Sequence, residues 1–102
     1  MANITHPNIF QQQNKWHISG DVLIDNSNVI LLKSESLSMG DGFVVDFSEV
    51  TKVDTAALSL MMEWQRRAFK ASAKVSFANL PVNLSRLVAL YGVAEFVPLS
   101  ET

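Results

Sequence analysis

The sequence predicts a single α/β domain: a mixed central sheet, opened by a hairpin and continued by mostly parallel strands, covered by about three helices. Three observations carry that reading. Strand-like and helix-like segments alternate along the chain in the order strand, strand, helix, strand, helix, strand, helix. The run Phe43-Val44-Val45-Asp46-Phe47 is short, mostly apolar and strand-forming, the pattern of a strand buried on both faces in a parallel sheet. After Asp54-Thr55, residues Ala57, Leu60, Met61, Trp64, Ala68 and Ala71 recur at i, i+3, i+4, i+7, i+11 and i+14, one continuous core-facing helix stripe.

Each element has a local reason. Residues 10–12 and 16–19 alternate in strand fashion around Gln13-Asn14, which predicts an opening hairpin closed by Gly20-Asp21. Asp25, Asn26 and Ser27 offer capping oxygens to a helix running to about Met39, with an imperfect apolar pattern of Val29, Ile30, Leu32 and Leu37. Gly40-Asp41-Gly42 marks a turn. A loop is expected over residues 48–53, between the 43–47 strand and the long helix. Residues 74–78 read as another strand. Pro81 starts a last helix with Leu84, Leu87, Val88 and Tyr91 on one face, and Gly92 ends it. Residues 93–99 form a short closing extension.

Composition narrows the function. At 102 residues the chain suits one domain over residues 1–102, with residues 1–8 the candidate for disorder. Apolar residues make up 48% and charged residues 18%, a globular balance far from the disordered class. Eight basic and ten acidic residues give a net charge of −2. No basic cluster beyond Arg66-Arg67 stands out, so the electrostatic footprint of a nucleic-acid binder is missing. The absence of cysteine excludes disulfides, thiolate metal sites and a cysteine nucleophile, and fits a reducing compartment. Residues 1–14 are polar, without the charged and apolar regions of a signal peptide, and no apolar run approaches the ~20 residues that span a bilayer. A cytoplasmic protein is expected, reaching a membrane only through a partner.

The segment Val44-Val45-Asp46-Phe47-Ser48-Glu49-Val50-Thr51-Lys52-Val53-Asp54-Thr55-Ala56-Ala57-Leu58 resembles the signature of STAS domains. There an apolar strand ends in Asp-hydrophobic-Ser, a short loop follows, and Asp-Ser/Thr with small residues enters a helix. His17-Ile18-Ser19-Gly20-Asp21-Val22 is similar to the family's second strand, and Arg86-Leu87-Val88-Ala89-Leu90-Tyr91-Gly92-Val93 to the end of its third helix. The resemblance covers residues 8–99. It implies one of two roles. Anti-anti-sigma factors bind a serine kinase and are phosphorylated on the Ser/Thr after the signature Asp, here Thr55. MlaB-like subunits dock on the ATPase of a phospholipid-trafficking ABC transporter. Leu90-Tyr91-Gly92 with an apolar tail through Val97-Pro98 leans to the second. So does an end at Thr102, short of the extra C-terminal helix usual in anti-anti-sigma factors. The chain departs from both branches in having Ala56-Ala57 where at least one glycine is usual.

The candidate partner-binding residues are Asp54, Thr55, Leu58, Ser59, Met62 and Arg66. Thr55, Ser59, Met62 and Arg66 stand at i, i+4, i+7 and i+11, a stripe separate from the core one, and Leu58 flanks it. Leu58 and Met62 are then expected to be partly exposed beside small polar residues, the mixture of a docking surface. Plainer roles stand beside this one: Asp54 or Thr55 caps the helix, worth about 1 kcal/mol, and the neighbouring helix covers Leu58 and Met62. Phosphate on Thr55 would add roughly −1.5 to −2 charges at the helix's positive end, opposed by Asp54. Arg66 either lies in solvent or pairs with an acidic partner residue.

Asp46 ends a buried strand and needs partners; with Asp54 it would make a paired-carboxylate site, against the plainer role of bonding a loop. His6 and His17 have no second histidine at metal-ligand spacing, and His17 is expected on a solvent-facing side of its strand. Trp64 is read as packing. No nucleophile elbow, phosphate-cradling glycine loop or His-Glu-x-x-His segment occurs. No enzymatic activity, metal or cofactor is expected. The expected partner is an ABC transporter ATPase subunit or, in the alternative, an anti-sigma serine kinase, with no nucleic acid.

Overall fold

In the computed structural model, which describes residues 6–100, the chain opens on the expected hairpin. β1 (Asn8–Gln12) and β2 (Lys15–Val22) pair antiparallel with Gln12 opposite Lys15, leaving Gln13-Asn14 as a two-residue turn. Gln13 has a φ of 57°, the left-handed conformation that tight hairpins favour. Gly20-Asp21 does not close the unit. Gly20 takes a φ of 85° where the pairing register shifts, so the glycine kinks β2 and the strand runs on to Val22. Of residues 1–8, numbers 1–5 lie outside the described residues, and Asn8 already begins β1.

α1 (Ser27–Ser34) stops five residues short of Met39. The reason lies in the hairpin, which pins Ser38. Gln11 Oε1 accepts from the Ser38 N–H at 2.9 Å, and Trp16 Nε1 donates to the Ser38 carbonyl at 3.1 Å. A backbone held from outside cannot also serve the helix. Asn26 gives no side-chain cap either, because its Oδ1 accepts from the Leu23 N–H at 2.9 Å.

β3 (Phe43–Val53) is 11 residues long and absorbs the expected 48–53 loop. Its second half pairs parallel with the prolonged β2, Glu49 opposite Ser19, Val50 opposite Gly20 and Val53 opposite Val22. α2 (Thr55–Lys70), β4 (Val75–Ala78) and α3 (Val82–Leu90) follow as the sequence predicts. A 3₁₀ turn (Ala94–Phe96) leads into the closing extension, where Phe77 N–H donates to the Pro98 carbonyl and Ser100 N–H to that of Phe77, both at 2.8 Å.

The sheet order is β1-β2-β3-β4, antiparallel at its first pair and parallel thereafter. Two parallel crossovers step in the same direction along the sheet, and the usual shared hand of such connections puts α1 and α2 on one face, where they touch. Against that face Trp16, Ile18, Phe43, Val45 and Phe47 pack with Ile30, Ala57, Leu60, Met61, Trp64 and Ala68, all buried. The α2 stripe ends one turn early: Ala71 is the exposed C-cap residue. Trp64 meets Trp16 edge-on at 5.8 Å and donates Nε1–H to Ser34 Oγ at 3.0 Å. Arg67 donates to the same oxygen at 3.0 Å and to the Ser34 carbonyl at 3.2 Å. This arginine is thus a tie between α1 and α2, not a solvated charge.

On the other face, the register sets Phe10, His17 and Asp46 in one cross-strand row. Phe10 stacks on the His17 ring at 5.0 Å, and His17 Nδ1 lies 3.5 Å from Asp46 Oδ2, so His17 is half-buried between them. Asp46 accepts from Ser48 N–H at 3.0 Å, Ser48 Oγ–H at 3.1 Å and Asn79 Nδ2–H at 2.9 Å. Burial pushes its carboxyl up, but the bonds from Asn79 and Ser48, with His17 beside it, outweigh burial and hold it below the ordinary carboxylate range.

Two stability predictions follow from these networks. Ser34→Ala should cost about 1–3 kcal/mol in urea unfolding, because it strips the acceptor from a buried indole N–H and from Arg67. Asp46 is acidified by folding, so its contribution is complete above about pH 4 and is lost as pH falls through the lower folded value. Asp46→Asn should therefore lower stability at pH 7 and flatten the acid limb of a stability-against-pH curve. An unchanged acid limb would remove this role.

Candidate functional site

The site is built where β3 hands the chain to α2. Asp54 is extended and its Oδ1 accepts from the Ala56 N–H at 2.8 Å, so it supplies the helix cap. That settles which of the two neighbours caps: Thr55 is left exposed, and its hydroxyl bonds no other described residue. The second Asp54 oxygen accepts from the Ile24 N–H at 3.0 Å, which ties the β2–α1 loop to the start of α2.

Thr55, Ser59, Met62 and Arg66 do share an exposed stripe, as their spacing predicts. Leu58 does not join them at the surface. It is only 8% exposed and belongs to the core cluster, because α3 packs against this side of α2. Its side chain forms the floor of a groove, while Met62, 37% exposed, stands at the surface. The groove measures about 680 Å³, with Tyr91 and Val93 as its far wall. Tyr91 was expected on the core face of α3. It lies instead one residue past the helix, before Gly92 turns the chain at a φ of 66°, and is 56% exposed. On the other side of Met62 and Arg66 lies a second, separate hollow lined by Gln65, Phe69 and Phe96.

Arg66 is already engaged. Its Nε donates to Glu63 Oε1 at 3.0 Å and its Nη2 to Oε2 at 2.6 Å, a two-pronged pair within one helix. Arg66 hydrogen bonds hold the Glu63 carboxyl below its ordinary range, and the same contact raises Arg66 further. The i, i+3 spacing of Glu63 and Arg66 is the sequence signal for this pair. Tyr91, Val93 and Ile24 had no such signal, since tertiary packing alone brings them to α2.

Asp46 and Asp54 do not form a carboxylate pair. They stand eight positions apart, Asp46 within β3 and Asp54 just past its end, roughly 26 Å at ~3.3 Å per residue of extended chain. Each is occupied by its own hydrogen bonds. Among the described residues no three His, Cys, Asp or Glu side chains come together to hold a metal ion, and no helix is long and apolar enough to cross a membrane.

Residues 9–99 match the family model described as Mlab, STAS domain. No curated protein matches the chain. The match runs from β1 to the bridge between Phe77 and Leu99 and includes the whole Asp54–Arg66 surface. With that coverage, and with a hairpin, two parallel crossovers and an aspartate-capped α2, this chain belongs to the STAS family of interaction domains.

Proposed function

We propose that the protein is a non-catalytic interaction subunit that docks on the cytoplasmic ATPase of a lipid-transporting ABC complex through the surface beginning at Thr55. One observation carries this reading: because Asp54 caps α2, Thr55 presents a hydroxyl that bonds no other described residue, beside an apolar-floored groove. Small polar groups at Thr55 and Ser59, an adaptable Met62 and an exposed Tyr91 are the mixture that protein interfaces use. The groove lies open along the outer side of α2, a shape better suited to a protein segment than to an enclosed small molecule. The choice of an ATPase as partner rests on the resemblance of Leu90-Tyr91-Gly92 and the apolar tail through Val97-Pro98 to MlaB-like subunits. On this reading the protein meets the membrane only through the transporter.

A second reading draws on the same hydroxyl. Thr55 is exposed at the positive end of α2, where a phosphate of about −2 charge is tolerated. In an anti-anti-sigma-like protein a serine kinase would place it there, and its charge over Leu58 and beside Asp54 would break an apolar contact.

Co-purification with the tagged protein tests the first reading. Wild type and Thr55→Ser should recover the ABC ATPase, while Thr55→Glu should bind about 100-fold more weakly or not at all. Wild-type affinity in Thr55→Glu would remove this face as the docking site. For the second reading, incubation with ATP and an anti-sigma serine kinase should place one phosphate on Thr55 by mass spectrometry, and an unmodified Thr55 would dismiss it.

A further inference from the structure

We infer that the docking surface does not end at Thr55 but crosses the start of α2 to Ile24, and that Asp54 is the residue that positions this second half. The inference rests on the docking reading above and adds to it a part of the surface and the chemistry of what covers it.

Ile24 is 74% exposed on the short loop between β2 and α1. A lone exposed isoleucine is unremarkable by itself. This one is held from three sides. Its N–H donates to Asp54 Oδ2 at 3.0 Å, and Asn26 Oδ1 accepts from the Leu23 N–H at 2.9 Å. The Leu23 carbonyl accepts from the Asn26 and Ser27 N–H groups at 3.0 and 2.8 Å. The loop is thus fixed on both flanks of the side chain it exposes. A loop backbone fixed before binding spares part of the ordering cost that association otherwise carries.

Asp54 links the two halves through one carboxylate. Oδ1 caps α2 and so frees Thr55, while Oδ2 holds the Ile24 backbone. Any shift of α2 at its first turn is therefore passed to Ile24. The surface is continuous across this residue: Ile24, then Asp54, then Thr55 and the groove.

Charge names the occupant. Segments 20–26 and 48–55, which meet here, expose Asp25 and Glu49 and half-expose Asp54 against the single basic residue Lys52, while Asp21 is buried and accepts from the Thr51 hydroxyl. At the far end of the groove Arg66 is neutralised by Glu63. The surface is acidic around Ile24 and electrically balanced farther along α2. Its complement is a protein patch with an apolar hollow for Ile24, rimmed by lysine or arginine. An anionic lipid surface would be repelled by the same end.

The experiment measures binding of the purified ABC ATPase subunit to wild type, Thr55→Glu, Ile24→Glu and Asp54→Ser at two salt concentrations, with amide hydrogen exchange on the free proteins. Serine caps a helix with its one oxygen but has no second oxygen for Ile24. In Asp54→Ser the amides of α2 should stay protected while the Ile24 amide exchanges about tenfold faster or more. Ile24→Glu should weaken binding about tenfold or more, and wild-type binding should fall as salt rises. If Thr55→Glu loses the ATPase while Ile24→Glu binds as wild type, the surface stops at Thr55 and this inference fails, with the docking reading intact. If Thr55→Glu also binds as wild type, the docking reading itself is what fails. An unchanged Ile24 amide in Asp54→Ser would deny Asp54 its positioning role, whatever the partner.

Discussion

Where β2 and β3 run side by side, Lys15 faces Val44 at one end and Val22 faces Val53 at the other, and that shared length decides where α2 can begin. A parallel pair must be joined by a crossover, so α1 is committed to one face of the sheet as soon as the two strands align. The backbone then delivers Asp54 directly beyond the last ladder position, its N–H donating to the Val22 carbonyl at 3.3 Å. With Val22 and Asp54 bonded to each other, Ile24 is brought within reach of the Asp54 carboxylate. Had β3 ended at Phe47, the 48–53 stretch would have been free to move Thr55 and Ile24 independently.

The helix bearing the surface is anchored well away from it. Ser34 receives donors from Trp64 and Arg67 and donates to the Leu31 carbonyl at 2.7 Å, so one hydroxyl joins α1 to the middle of α2. Trp64 in turn meets Trp16, which packs on Phe43 at 4.6 Å. The inner side of α2 is locked by aromatic packing and a hydrogen-bond node at Ser34, which leaves the Thr55, Ser59 and Met62 side chains exposed on its outer side. A surface that binds by shape needs such a platform, because each degree of freedom frozen beforehand is one that binding need not freeze.

Much of this was legible in the sequence, and what was not has a common cause. The α2 stripe could be read because six apolar positions at helical period leave no other face for the core. The hairpin could be read from alternation around Gln13-Asn14. The end of α1 could not, since it depends on Gln11 and Trp16 holding Ser38 from 27 and 22 residues away. The tail of β3 could not, since Glu49-Val50-Thr51-Lys52 has no strand pattern of its own and becomes strand by pairing with β2. At the site, a cap at Asp54 or Thr55 and the exposed Thr55 stripe followed from spacing, and the bond from the Ala56 N–H to Asp54 decided between the two. Leu58 did not, because only the position of α3 decides whether its side of α2 faces solvent.

The two alanines that depart from the family pattern bear directly on whether a partner can approach. Glycine at such a place removes a methyl group that would stand between two backbones. Ala56 and Ala57 are 8% and 0% exposed, so their methyl groups point into the protein, beneath the turn that carries Thr55. What an incoming surface meets is the Thr55 and Ser59 side chains, with Leu58 recessed between them. The alanines also favour the helix itself, by roughly 1 kcal/mol each over glycine. Their effect is to stiffen the first turn of α2, the same turn that Asp54 fixes from outside. The departure is therefore compatible with close docking, and it makes the surface more rigid without making it less accessible.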